Sequence, residues 1–253
     1  MEASVPARVQ TRSWRAATAV VVVTALCWAF LLWTAIDMRS PVAQAMMPMS
    51  TTWSVTNLLA IVAMWAIMMA AMMLPSALPM IVTFVTLSAR NGDTGRAWAF
   101  VAAYLAVWSG FSAAAAGGQW ALQAAGWLNP MMVSTSKPLT AALLLIAGVY
   151  QFSPLKRICL ARCRSPMGFL LGDWRGGTLG AWTMGLRHGL TCVGCCWALM
   201  ALLFVGGSMN LAWVAALAVA VALEKLAPGG ERLGVVLGVV LIAAGAGKFV
   251  ALL

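Results

Sequence analysis

The chain has 253 residues, 63% of them hydrophobic and 9% charged, with a formal net charge of +10. Globular domains carry about 25% charged residues, so this balance excludes an ordinary soluble domain and reads as an all-α, polytopic membrane protein, residues 1–253 forming one integral-membrane domain. The basic residues sit at the ends of apolar runs, as in membrane loops, and nucleic acid is not an expected partner.

At about 20 residues per span the length allows about six to eight spans. The first apolar run is 16–36, behind Arg8, Arg12 and Arg15. It exceeds the roughly 7–15 residues of a signal-peptide core and reads as an uncleaved span. The second starts near Trp53 and meets "LPSALPM" at 74–80. Pro75 and Pro79 each remove a backbone donor, so this span is expected to be kinked or broken there. Further runs lie at 97–124, 138–153, 179–206, 210–226 and 233–252, giving about seven spans. With a cytoplasmic N-terminus, Arg90, Arg96, Lys156, Arg157, Arg162, Arg164, Arg175, Lys225 and Arg232 join the first arginines on the cytoplasmic side. Only Arg39, Lys137 and Lys248 face the other way. That asymmetry orients the chain.

Small residues recur in "GFSAAAAGG" (110–118) and at Gly234 and Gly238, where helices can approach closely. Packing within the chain is the simpler use; a homo-oligomer seam is the other. Glu224 and Lys225 end a span and read as an interfacial ion pair whose long side chains reach water.

The stretch "RHGLTCVGCCWALM" (187–200) holds the only histidine, His188, and three of the six cysteines. On a helix Cys192 lies about 40° from His188, Cys195 about 20° the other way, Met184 about 40° and Cys196 about 80°. Side chains at such spacings converge on one small ion. Imidazole and thiolate are ligands for zinc and copper, and thiolate with thioether favours Cu(I). Cys159 and Cys163 lie in the preceding cytoplasmic loop, on the reducing side, where structural disulfides are disfavoured. Cys27 reads as a packing residue.

The seventeen methionines cluster. Met46, Met47 and Met49 fall in the first external loop, where they read as metal contacts. Met64, Met68 and Met72 share one face of the second span, and Met69 and Met73 form a second pair. Thioethers at this spacing are either stepping stones for Cu(I) or flexible core filler.

Three segments together, "MMAAMMLPSALPM", "YQFSPLKRICLARCRSPMGFL" and "MGLRHGLTCVGCCWALMALLFVGGSMNLAWVAALAVAVALEKLAPGG", closely resemble a bacterial family of predicted metal-binding integral membrane proteins, from about Met64 to Gly230. Similar members are associated with copper chaperones that help load tyrosinase-type oxidases. The resemblance implies copper handling in the bacterial cytoplasmic (inner) membrane, by a multi-pass protein in contact with lipid. Its matching positions are Met68, Met69, Met72, Met73, Cys159, Cys163, His188, Cys192, Cys195 and Cys196. Residues 1–50 lie outside it.

The leading expectation is therefore a Cu(I)-binding metallochaperone or transfer relay, not an enzyme, partnered by a copper-dependent oxidase or another copper carrier. Zinc is the alternative metal. No phosphate-binding loop of the G-x4-G-K-[ST] type supports a pump. Two other readings stand beside it: a thiol–disulfide oxidoreductase using Cys192 and Cys195, and a scaffold whose cysteines only pack. The topology makes a direct prediction: a reporter fused after Leu253 is active outside the cytoplasm, and one active only inside it contradicts the orientation.

Overall fold

The computed structural model describes residues 7–48, 52–90, 96–129 and 131–251. Glu2, Met49 and Asp93 lie outside them. Among the described residues the protein is all-helical, with no strand and one isolated bridge between Leu128 and Ser134. The helices are α1 (Ala7–Ile36), α2 (Pro41–Met46), α3 (Val55–Arg90), α4 (Ala97–Ala124), α5 (Lys137–Tyr150), α6 (Pro154–Arg164), α7 (Pro166–Asp173), α8 (Gly177–Ala201), α9 (Leu203–Gly206), α10 (Leu211–Leu226) and α11 (Gly230–Val250).

Five segments are long and apolar enough to cross a membrane: Val9–Ile36, Val55–Arg90, Ala97–Ala124, Gly177–Gly206 and Gly230–Val250. A sixth arises if α5 and α6, which meet at a bend of 63°, count as one. The run at 210–226 becomes α10, with 16 residues. At 1.5 Å per residue it rises about 24 Å, short of the roughly 30 Å hydrocarbon core.

Two sequence expectations need correction. Cys159 and Cys163 are not in a loop: they lie on α6, which packs against α8. The restart of the helix is encoded locally, since the Ser153 side chain accepts from the Lys156 amide and Pro154 occupies the first helical position. Nor is the second span broken. α3 continues through both Pro75 and Pro79. Pro75 has no N–H for the Ala71 carbonyl four residues back. The Trp28 indole on α1 donates to that carbonyl instead, at 3.2 Å. A tertiary bond thus replaces the helical one, and α1 packs along α3.

Glycines set the closest helix approaches. α8 lies on α4 because Gly185 and Gly189 present no side chain there. A Cβ at 185 would stand 2.3 Å from the Phe100 carbonyl oxygen, and one at 189 would stand 2.9 Å from Val107. α11 meets α5 in the same way. A Cβ on Gly148 would come within 3.0 Å of the Gly238 carbonyl, and one on Gly238 within 2.8 Å of Gln151. Gly238 thus serves packing within the chain. Gly110, Gly117 and Gly118, by contrast, have nothing within 4 Å of their missing Cβ.

Overpacking a tight contact costs about 1–3 kcal/mol. Gly185→Ala should therefore lower the thermal midpoint of the purified protein in detergent, while Gly110→Ala leaves it unchanged. Equal midpoints for the two would contradict the close α4–α8 approach.

Candidate metal centre

α8 delivers His188, Cys192, Cys195 and Cys196 into the core, all buried, on the face that the spacing predicts. Four other helices close round them. α6 adds Cys159 and Cys163, α3 adds Met73 and Ser76, α4 adds Tyr104, and α10 adds Lys225.

Cys192 is the hub. Its sulfur lies 3.0 Å from the Lys225 ammonium and 3.2 Å from the Tyr104 hydroxyl. The thiols of Cys163, Cys195 and Cys196 all interact with it. Cys195 and Cys196 each direct their thiol to the Cys192 carbonyl at 3.0 Å. The Cys196 sulfur is also 3.9 Å from the Met73 thioether. Cys159 of α6 interacts with Cys195. It fits there because residue 194 is glycine: a Cβ at Gly194 would stand 2.8 Å from the Cys159 sulfur. The Tyr150 hydroxyl donates to the Gly194 carbonyl and ties α5 to the same turn. Five cysteines thus gather around one turn of α8, all free thiols. Cys27 stays half-buried on α1.

His188 stands in an aromatic box. Its ring stacks on Tyr104 at 5.3 Å and Phe100 at 5.9 Å, and Phe169 of α7 meets it edge-on at 5.6 Å. It is 3% exposed, and neither ring nitrogen has a hydrogen-bond partner. Buried polar atoms are nearly always paired. An orphaned imidazole one helical turn from a thiol hub therefore has the character of an unused ligand.

The methionines divide. Met68, Met69, Met72 and Met73 are all buried on α3. Met73 meets the Cys196 thiol, and all four belong to the apolar core around the cysteines. Met46, expected in an external loop, ends α2 and packs into that core as well.

Three site residues escape the sequence reading. Lys225 is 6% exposed and donates to the Ser76 hydroxyl at 3.1 Å as well as facing Cys192. Ser76 in turn donates to the Met73 carbonyl at 2.9 Å, and Tyr104 donates to the same carbonyl at 3.3 Å. The expected Glu224–Lys225 interfacial pair does not form. Glu224 instead pairs with Lys156 of α6 at 2.7 Å, both side chains being 3% exposed. Successive residues on a helix point about 100° apart, so α10 sends one to each neighbouring cluster. The only available signal was the presence of ionisable residues in an apolar run.

Among the described residues, no three His, Cys, Asp or Glu side chains stand in metal-holding geometry. The thiols of Cys195 and Cys196 are turned onto a backbone carbonyl, and a ligand set draws on them only once they leave it. The donors themselves, thiol, thioether and imidazole, are those suited to a soft ion such as Cu(I).

Fold and site together define a helical protein with a soft-donor cluster at its centre. A family model described as PpoB2, copper chaperone, matches residues 62–247. That is most of the chain, and the chain belongs to this family. No curated protein and no solved structure matches it.

The α6–α8 contact can be tested without metal. A variant keeping only Cys163 and Cys192, with the other cysteines changed to serine, should form an intramolecular disulfide under mild oxidation. A control keeping only Cys27 and Cys163 should not. Equal yields would contradict the placement of Cys163 beside Cys192.

Proposed function

We propose that the protein is an integral membrane metallochaperone that carries Cu(I) as cargo on the α8 cluster. The observation that carries this reading is the gathering of five thiols, one thioether and an unpartnered imidazole around one turn of α8, with a buried ammonium against the Cys192 hub. Thiolate is the metal-binding form of cysteine. Cu(I) held by two thiolates has a net charge of −1, and the Lys225 ammonium brings the total to zero. That balance suits a buried site, where an uncompensated charge costs several kcal/mol.

The assigned ligand pool is His188, Cys192, Cys195, Cys196, Cys159 and Cys163, with Met73 as the thioether in contact. Met68, Met69 and Met72 are a weaker, exchangeable route along α3. The protein sits in the bacterial cytoplasmic membrane with about seven crossings, the bent α5–α6 pair and the short α10 included, and its N-terminus is cytoplasmic. Its partner is a copper-dependent oxidase or a second copper carrier. The role is transfer, not catalysis; zinc is the competing ion, since His and Cys bind it well.

Anaerobic titration of detergent-purified protein against a chromophoric Cu(I) chelator tests the reading. Wild type should compete for Cu(I), and Cys192→Ser/Cys195→Ser/Cys196→Ser should not. Lys225→Met should weaken binding about 10- to 100-fold, the usual effect of losing a group that supports the ligands. Equal binding by wild type and the triple variant would defeat the proposal. Tight zinc binding with no Cu(I) preference would redirect it.

A further inference from the structure

A second buried polar cluster lies where the α5–α6 corner meets the start of α11. A cavity of about 290 Å³ opens there, lined among others by Gln151, Lys156, Arg157, Arg232 and Gly234. Gln151 is 5% exposed, yet neither atom of its side-chain amide has a partner. The Oε1 of Glu224 is likewise buried and unpartnered, while its Oε2 accepts from Lys156. An ammonium has three N–H donors, and one of those on Lys156 is engaged by Glu224. Gly234 leaves the space: a Cβ there would stand 3.4 Å from the Glu224 Oε1 and 3.5 Å from the Gln151 Oε1. Both orphaned oxygens therefore face the bare side of α11. At the mouth, Arg157 and Arg232 are exposed and bound to no carboxylate among the described residues, with Glu231 as the one acidic group. The rim is apolar, with Phe152 44% and Val235 48% exposed.

These groups specify a ligand. Its inner part must donate to two oxygens and accept from an amide and an ammonium, which hydroxyl groups do. Its outer part must satisfy two guanidiniums, which a phosphate does. Its remainder must lie on apolar surface. A bare anion has no donors for the two oxygens, and a cation would meet Lys156, Arg157 and Arg232. We infer that this chamber binds a glycerol-phosphate headgroup, that of an anionic phospholipid, with its hydroxyls toward Gln151 and Glu224 and its phosphate between Arg157 and Arg232. Basic pockets between membrane helices take acidic headgroups on this principle.

The test offers purified full-length protein an equimolar mixture of phosphatidylglycerol and phosphatidylcholine and counts retained lipid by native mass spectrometry. Two arginines contribute enough to favour phosphatidylglycerol about tenfold or more. Arg157→Gln/Arg232→Gln, both surface changes, should bring the ratio near parity. Gln151→Leu should lower it as well. Parity in the wild type, or a preference untouched by both variants, would overturn the inference. Displacement of the lipid by soluble glycerol 3-phosphate would keep the headgroup chemistry and overturn the lipid as its source.

Discussion

A buried ammonium governs the centre of this protein. Lys225 lies among apolar helices, 3.0 Å from one thiol and 3.1 Å from one hydroxyl. Removing an ammonium from water costs several kcal/mol unless partners replace its hydration. Its partners come from α8 and α3, so α10 seats correctly only when both helices are in place. Ser76 and Tyr104 are fixed in turn through the Met73 carbonyl. The positive charge, the thiols and the thioether are thereby held in one connected set.

The rest of the bundle brings that set together. α8 must run close to α4 for His188 to stack on Tyr104 and Phe100, and Gly185 and Gly189 permit it. α6 must bend back onto α8 for Cys159 and Cys163 to reach the hub, and the Ser153–Pro154 corner starts that turn. Arg164 then holds the end of α10 by donating to the Glu224 carbonyl at 2.5 Å and the Ala227 carbonyl at 2.9 Å. Glu224 and Lys225 act in opposite directions from the same turn. One pairs with the cation beside the proposed lipid chamber, the other with the thiol cluster. Both clusters are built on α6 and α10.

Much of this was legible in the residues. Hydropathy alone marks the long helices, and the 3.6-residue period puts His188, Cys192 and Cys195 on one face. What periodicity leaves open is which helices meet. Tyr104, Ser76 and Lys225 each stand alone on separate helices, so no local spacing announces them. Lys225 is also masked by its neighbour: adjacent opposite charges at a span end suggest an ion pair at the interface, whereas helical geometry turns them to different sides. The segment bearing Cys159 and Cys163 reads as a loop for another reason. Four basic residues in "PLKRICLARCR" resemble a membrane loop, while the cap and the two cysteine-bearing turns make it an amphipathic helix. Pro75 reads as a kink or a break, and α3 is continuous through it; the donor that replaces its missing N–H is an indole on α1, 43 residues earlier in sequence than the carbonyl it serves.

On the proposed function, the α8 thiols form a sulfur-rich site for a soft metal. X-ray absorption at the copper edge, on protein loaded anaerobically with one equivalent of Cu(I), addresses it most directly. A first shell dominated by sulfur at the short distances of metal–thiolate bonds is the predicted result. A shell dominated by nitrogen or oxygen would place the copper elsewhere and reduce the cysteines to packing.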